Sequence, residues 1–283
     1  MSDQVLMSNF ESMELYVTAI ASGSNGNCYY IGNQKEAVLI DAGISCRETE
    51  QRMKRLGLSM QKVQAIFISH EHTDHIRGVV RIAKKYQLPV YITPRTLNNI
   101  PLDLPPANTI RLIPHVAVHK GNLSITAFPK KHDASDPQSF VITNGATTVG
   151  VMTDIGKPCE QVIQHFSKCQ AVFLETNYDD QMLAEGPYPY YLKRRVSSDI
   201  GHLSNQQAYE LFIRHRAANL SHIFLSHISK DNNRPEKVRD LFLSNAGDTE
   251  IVLTSRHQET PVYTICADKI ISRPRFIQQN LFE

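Results

Sequence analysis

Six consecutive residues concentrate the groups in this sequence that are best suited to bind metal ions. Residues 70–75 read HEHTDH, which places three imidazoles and the carboxylate of Asp74 close together. His70 and His72 can point to one side of an extended turn and share one ion, while Asp74 and His75 can face a second ion from the start of a helix. The spacing predicts a site for two ions. The alternative is a solvated polar loop whose histidines make ordinary hydrogen bonds.

Three later residues, each at the end of an apolar run, are candidates to complete such a site: His132, Asp154 and His227. A single histidine at a strand end is more often structural than a metal ligand. Together with the cluster at 70–75, however, these three residues are expected to be ligands. Imidazole suits zinc, and carboxylate also tolerates manganese or magnesium, so ligand chemistry leaves the metal open. We expect zinc or manganese.

The elements that must position these groups alternate between strands and helices. Short apolar or alternating runs predict strands, and runs of helical period predict helices. The predicted strands are 15–22, 28–32, 37–41, 63–69, 89–92, 171–175 and 223–226, with several antiparallel strands between 109 and 153. The predicted helices are 47–56, 76–86, 158–166, 188–196, 205–216 and 235–244.

This order of elements predicts an α/β (α+β) fold, in which two facing mixed β-sheets are covered by helices on their outer faces as an αββα sandwich. Residues 13–283 are expected to form a single domain. Residues 1–12, which show no clear periodicity, are expected to form a loose leader. The histidines then lie at the ends of strands.

Composition excludes several classes of protein. The chain has 283 residues, of which 41% are hydrophobic, enough to bury a sizeable core. No run approaches the roughly 20 apolar residues of a membrane span, and the N-terminus lacks the regions of a signal peptide, so we expect a cytoplasmic protein with no membrane partner. A net charge of +2 is too small for a dedicated nucleic-acid coat protein. The five scattered cysteines include no Cys-x-x-Cys pair and are expected to be reduced.

Several segments together resemble a known family. They are SGSNGNC at 22–28, LIDAG at 39–43, HEHTDH at 70–75, HDASDP at 132–137, TDIG at 153–156, ETNYD at 175–179, GPYP at 186–189, GHLSN at 201–205 and LSHIS at 225–229. In this order they are similar to the metallo-β-lactamase fold and, within it, to the YycJ/WalJ-type proteins of bacteria. The resemblance covers nearly everything from 15 to 266.

The resemblance implies a complete set of ligands for two divalent ions. One ion would be held by His70, His72 and His132, the other by Asp74, His75 and His227, and Asp154 would bridge them. True β-lactamases carry a cysteine at the bridging position, so the aspartate here indicates a general hydrolase. Asp41 matches a position that orients a ligand from behind, although a plain strand-end turn is the alternative.

The family is associated with 5′-to-3′ exonuclease activity on DNA and with mismatch repair, so the resemblance implies a binuclear phosphodiesterase with a DNA substrate. The predicted catalytic residues are Asp74, Glu175 and His202. Glu175 with His202 resembles the acid–histidine pair of ribonuclease Z, which suits proton transfer to the leaving oxygen. The alternative for His202 is a cap of the helix that begins near 205.

Two groups of residues are predicted to contact the substrate. Lys193, Arg194 and Arg195 follow three tyrosines on a predicted helix, a mixture suited to phosphates and bases, although a solvated helix face explains it nearly as well. The loop of Ser24, Asn25 and Asn27 could offer hydrogen-bond donors to an anion, or be a tight turn. Asn205 is grouped with these contacts. The cations expected to surround the site are Arg77, Lys130, Lys131, Lys230 and Arg234.

Three other functions remain open from the sequence. A ribonuclease Z-like RNA processor fits Glu175 and His202, but the chain has no evident long arm for gripping transfer RNA. A thioester hydrolase of the glyoxalase II type would share the ligands. A non-catalytic domain stabilised by metal would need neither Glu175 nor His202. Homodimer formation is a further open question.

Overall fold

Two mixed β-sheets face each other in the computed structural model, which describes residues 13–100 and 103–267. Over those residues each sheet has seven strands. The first contains β1 (Leu15–Ala21), β2 (Cys28–Gly32), β3 (Ala37–Ile40), β4 (Val63–Phe67), β5 (Val90–Ile92), β6 (Thr109–Arg111) and β14 (Tyr263–Ile265). The second contains β7 (Val118–Lys120), β8 (Leu123–Pro129), β9 (Gln138–Asn144), β10 (Thr147–Met152), β11 (Ala171–Glu175), β12 (His222–Ser226) and β13 (Glu250–Leu253). The predicted arrangement of two facing mixed sheets is confirmed.

Both sheets change from antiparallel to parallel pairing across their width. The first has the order β14-β1-β2-β3-β4-β5-β6 and becomes parallel from β3 onward. The second has the order β13-β12-β11-β10-β9-β8-β7 and is parallel from β13 to β10. Because parallel strands end at the same edge of a sheet, the residues that follow β3, β4, β10, β11 and β12 can meet there.

Large aromatic side chains fill the space between the sheets. Tyr29 and Phe173 lie with ring centroids 5.0 Å apart, and Phe173 stacks on Phe224 at 4.3 Å. All three are fully buried. Such rings bury large apolar areas and favour tilted or offset contacts, so they join the two sheets into one core.

Helices cover the outer faces of both sheets. The helices of the described residues are α1 (Cys46–Arg55), α2 (Thr73–Ile76), α3 (Val79–Tyr86), α4 (Pro94–Asn98), α5 (Glu160–Phe166), α6 (Asp180–Glu185), α7 (Tyr190–Val196), α8 (Asn205–His215) and α9 (Pro235–Leu243). Buried residues of α1 and α3 pack on the first sheet, and those of α5, α8 and α9 pack on the second.

Two local predictions were wrong. The helix predicted at 76–86 is divided between α2 and α3, because the Gly78 N–H donates to Ala42 O (2.8 Å) and a Cβ at Gly78 would overlap Ile44 O. The first strand of the stretch 109–153 is not antiparallel: β6 pairs in parallel with β5 in the first sheet, whereas β7 to β10 form antiparallel pairs.

The predicted leader at 1–12 and the end of the predicted domain at 268–283 lie outside the described residues. The single domain therefore stays a prediction. Among the residues that are described, none of the helices is long and apolar enough to cross a membrane.

Candidate metal centre

Three imidazoles converge at the edge where the strands end. His70 and His72 follow β4, and His132 follows β8. The atoms His70 Nε2 and His72 Nδ1 lie 3.1 Å apart, and His132 Nε2 lies 3.4 Å from His72 Nδ1. Burial lowers the pKa of all three imidazoles, that of His132 to about 3, so they are neutral near pH 7. Neutral imidazole is the form that binds metal ions.

A second group forms beside the first around two carboxylates. Asp74 Oδ2 lies 3.6 Å from both His75 Nε2 and His227 Nε2. Asp154 lies between the groups, with Oδ2 3.3 Å from His75 Nε2 and Oδ1 4.0 Å from His132 Nε2. The seven residues assigned from the resemblance are thus neighbours, although their separations along the chain reach 157 residues. His70 is the first of them and His227 the last.

The second group presents strong negative charge to its histidines. Burial lowers the pKa of His227, but the carboxylates of Asp154, Asp74 and Glu175 outweigh burial and raise it to about 10. Burial likewise lowers the pKa of His75, and Asp154 with Asp41 holds it well above its ordinary value. The raised pKa values of His227 and His75 indicate that the space between these side chains favours a positive charge.

Two buried atoms at this position, Asp154 Oδ2 and His227 Nε2, lie at ion-pair distance from His75 Nε2 (3.3 Å) and Asp74 Oδ2 (3.6 Å) but have no partner among the described residues in hydrogen-bond geometry. Buried polar atoms are nearly always paired, because an unpaired one loses its hydration without compensation. Both atoms face the second group. A bound cation would satisfy them, so the residues present fit the metal ions that the family implies.

Asp41 holds two of these residues from behind. Its Oδ2 lies 2.7 Å from His75 Nδ1 and accepts a hydrogen bond from Ser69 Oγ (2.8 Å), and Ser69 Oγ lies 2.8 Å from His70 Nδ1. With Nδ1 engaged, His70 and His75 present Nε2 to the centre. The contact between Asp41 and a candidate ligand, expected from the sequence, is present.

Left-handed backbone occurs at three positions of this edge. Asp41, Asp154 and His227 have φ values of 59°, 54° and 55°. Non-glycine residues rarely adopt positive φ, and such strain concentrates at functional sites. The turns after β3, β10 and β12 therefore aim these side chains at the centre at a conformational cost.

Asn27, predicted among the substrate contacts, is buried behind Asp74. Its side chain is fully buried and donates to Asp74 Oδ2 (3.1 Å) and to Gly23 O (3.2 Å). Its backbone N–H donates to Asp74 O (2.7 Å). Gly43 packs against the same oxygen, which a Cβ at position 43 would overlap. Asn27 therefore orients Asp74. The side chains of Ser24 and Asn25 are exposed, as a substrate contact requires.

Lys130, predicted among the cations around the site, lies inside the protein next to Asp154. Its side chain is buried, and Nζ donates to Thr153 O (2.7 Å), directly before Asp154. Burial lowers its pKa, and the charge of Asp154 opposes this effect. Lys130 thus supports the turn of Asp154 from inside. Arg77, Lys131, Lys230 and Arg234 are exposed, and their place around the site stays a prediction.

Glu175 and His202 form a contact at the border of the centre. Glu175 Oε1 lies 2.8 Å from His202 Nδ1 and 2.9 Å from His227 Nδ1, while Oε2 accepts from the N–H groups of Ile155 (2.6 Å) and Leu203 (3.1 Å). Burial raises the pKa of Glu175, but the two histidines outweigh it and lower it to about 2. The helix that begins at 205 is capped by Ser204 in a capping box, so His202 is not its cap.

Helix α7 carries the predicted basic and aromatic residues, but their surroundings differ. Tyr190 and Tyr191 are each 74% exposed, and the guanidinium of Arg194 lies 5.9 Å from the ring centre of Tyr190. Arg195 forms an ion pair with Asp133 (2.5 Å), next to His132. Lys193 Nζ donates to Ala184 O (2.6 Å). Of the three basic residues, Arg195 has its charge paired with a carboxylate and Lys193 has its ammonium bound to a carbonyl, whereas Arg194 has only its contact with Tyr190 among those described.

Asn205 was predicted among the substrate contacts, and the structure places it in a buried contact with another asparagine. It is buried, and its side-chain amide exchanges hydrogen bonds with that of Asn233 (2.9 and 2.8 Å). This pair joins the start of α8 to the loop before α9. The partner lies 28 residues away, so no local pattern could have revealed it.

Comparisons with known proteins agree with this geometry. A family model described as Beta-lactamase superfamily domain matches residues 36–228. Exodeoxyribonuclease YycJ of Bacillus anthracis is 35% identical over 234 residues, which cover 80% of this chain and 87% of that protein. Exodeoxyribonuclease WalJ of Streptococcus pneumoniae is 30% identical over 259 residues, which cover 87% of this chain and 96% of that protein. The crystal structure of the metallo-β-lactamase fold protein YhfI from Bacillus subtilis covers 89% of this chain and 99% of its own, with a TM-score of 0.70 and 18% identity, which shows the fold alone.

Proposed function

The chain belongs to the β-lactamase superfamily and, within it, to the YycJ/WalJ-type proteins, and we propose that it is a binuclear metal-dependent phosphodiesterase that degrades DNA from the 5′ end. The expectation of an enzyme is confirmed with the family. The observation that carries the proposal is the seven-residue centre at the strand edge, with the Glu175–His202 contact beside it. The names of both relatives support DNA as the substrate.

We assign two divalent cations, zinc or manganese, to this centre. His70, His72 and His132 would hold one, Asp74, His75 and His227 the other, and Asp154 would contact both. When bound, such a pair lowers the pKa of water and stabilises charge on both oxygens of an in-line phosphoryl displacement. Asp154 Oδ2 and His227 Nε2, which lack a hydrogen bond among the described residues, support the assignment.

Proton transfer to the leaving oxygen is assigned to His202. Its side chain is 18% exposed, so it borders both the centre and the space that a substrate would occupy. Because Nδ1 is engaged by Glu175, Nε2 is the nitrogen that can donate a proton. Glu175 is held by two backbone N–H groups and so fixes the ring in this orientation.

The substrate strand is proposed to lie across α7. Exposed tyrosines can stack bases of any type, and arginine binds phosphate, so Tyr190, Tyr191 and Arg194 provide contacts that do not depend on sequence. The Arg195–Asp133 ion pair ties this helix to the loop that carries His132. A strand held on α7 would therefore lie close to the centre. A cytoplasmic location and a place in DNA repair are part of the proposal and rest on the family resemblance.

One panel of substrates tests the function. The full chain is purified with added manganese or zinc and offered 5′-phosphorylated duplex DNA, single-stranded DNA, RNA and an acyl-glutathione. We expect release of mononucleotides from the 5′ end of DNA. Faster cleavage of RNA would favour the ribonuclease Z-like alternative, and hydrolysis of the thioester alone would favour the glyoxalase II type; either result would overturn the proposal.

A further inference from the structure

A cavity of about 170 Å³ opens beside the metal centre, between the loops that follow β1, β12 and β13. Two cationic side chains, Lys230 and Arg256, line it together with three serines. The serines are Ser22, Ser229 and Ser255. None of these residues belongs to the proposed ligand set or to the α7 surface. The cavity therefore needs its own explanation.

Arg256 is fixed in the wall of this cavity. Its Nη2 donates to Ile228 O (2.7 Å), and its Nη1 donates to Ser24 Oγ (3.2 Å) and more weakly to Asn25 Oδ1 (3.5 Å). The guanidinium packs on Gly23, where φ is +139° and a Cβ would lie 3.5 Å from Nη2. These acceptors are neutral, so they orient the guanidinium without cancelling its charge.

The chemistry of the lining suits a phosphate group. Guanidinium and ammonium groups form charge-assisted hydrogen bonds with phosphate oxygens, and serine hydroxyls add neutral ones. Asp231 attracts Arg256 electrostatically, and its Oδ2 accepts a hydrogen bond from Tyr188 Oη (3.4 Å). This carboxylate competes with an anion for Arg256, which makes its removal an informative test.

The cavity shares a wall with the metal centre. Ser22 lines it, and Ser22 Oγ accepts a hydrogen bond from the backbone N–H of His227 (2.9 Å). Ile228, the next residue, also lines the cavity. A group bound here lies beside the second metal position, on the side of Ser24 and Asn25.

We propose that this cavity is a subsite for a phosphate group of the substrate strand, adjacent to the phosphodiester held at the metal centre, with Arg256 and Lys230 as its charged contacts. The assignment of the phosphate to a polynucleotide rests on the proposed function. The phosphate belongs either to the 5′ terminus or to an internal phosphodiester. The presence of the subsite can be tested without catalysis.

Calorimetric titration of inorganic phosphate into the full chain, kept free of metal by a chelator, tests the subsite. We expect Arg256→Gln and Lys230→Gln each to weaken phosphate binding about tenfold, the effect of losing one charge-assisted contact. Asp231→Asn is expected to strengthen it. The matched control is Arg239→Gln on α9, whose exposed side chain lies outside the cavity lining and contacts Asp240.

Equal phosphate binding in wild type, Arg256→Gln and Lys230→Gln would overturn the subsite, as would an equal loss in the Arg239→Gln control. Arg256 also joins three loops, so its variant is checked by thermal melting. Lys230 is exposed, and its variant tests the charge without that complication.

Steady-state kinetics of the metal-loaded chain identifies the source of the phosphate. If it is terminal, the wild type prefers 5′-phosphorylated over 5′-hydroxyl DNA, and Arg256→Gln abolishes the preference. If it is internal, Arg256→Gln raises KM equally for both substrates. A KM that Arg256→Gln leaves unchanged for both would contradict the subsite. If no DNA is cleaved at all, the proposed function is wrong. The phosphate titration would still show whether the cavity binds phosphate.

Discussion

The candidate metal centre and helix α7 hold their side chains in opposite ways. In the centre, His75 is fixed between Asp41 and Asp154, and Asn27 holds Asp74. On α7, Tyr190 and Tyr191 project into solvent. Chemistry at a phosphorus atom needs fixed geometry, whereas binding of a strand without regard to sequence tolerates mobile contacts. The comparison predicts large effects of substitution in the centre and small ones on the helix.

The largest effect is expected from Asp154→Asn. Asparagine tolerates the positive φ of this position but lacks the charge that faces both groups of histidines. We expect kcat/KM for DNA to fall at least about 100-fold, with loss of bound metal measured by elemental analysis and with the fold retained by circular dichroism. The control is Asp199→Asn, an exposed carboxylate paired with Lys157. Full activity in Asp154→Asn would remove Asp154 from the centre.

His202→Ala separates proton transfer from metal binding. Because His202 is outside the proposed ligand set, its loss should lower kcat about 100-fold while the metal content stays unchanged. The exposed His119 provides the control substitution to alanine. A fall in metal content that accounts for the lost activity would instead make His202 a ligand, a role its distance of 3.9 Å from Asp154 Oδ1 permits.

Two adjacent lysines test whether the centre is supported from inside. Lys130→Met removes the buried donor to Thr153 O and should lower the free energy of unfolding by about 1–3 kcal/mol, measured by denaturant titration. Lys131→Met changes the same charge on an exposed side chain and should stay within about 0.5 kcal/mol. Equal effects of the two substitutions would show that Lys130 has no special role.

The smallest effect is expected on α7. Arg194→Ala should weaken DNA binding several-fold and reduce the slope of log K against log salt by about one, as expected for one lost phosphate contact. Changing Lys193, Arg194 and Arg195 together should reduce the slope little further, because Asp133 neutralises Arg195 and the hydrogen bond to Ala184 O holds the Lys193 ammonium against the chain. Fluorescence anisotropy over a range of salt measures both. A threefold larger slope change in the triple variant would mean that all three residues contact DNA.

Features set by neighbouring residues could be predicted from the sequence, whereas features set by distant contacts could not. The segment 70–75 was detectable because its ligand types are adjacent, and the sandwich because its strands are strongly apolar. The roles of residues that act through distant partners were not detectable from the sequence. Asn27 contacts Asp74, which lies 47 residues away, and Lys130 donates to Thr153 O on another strand end. Strand β14, missed from the sequence, has three residues and is placed by pairing with β1 at the other end of the chain.

Gly43 has a consequence for how this protein tolerates mutation. Any side chain there would overlap the backbone oxygen of Asp74, which Asn27 also contacts, so even alanine must displace the loop of candidate ligands. In a saturation library selected for activity, position 43 should thus accept as few residue types as Asp74 itself. A residue without a functional side chain would then limit sequence variation at this site as strongly as the candidate metal ligands do.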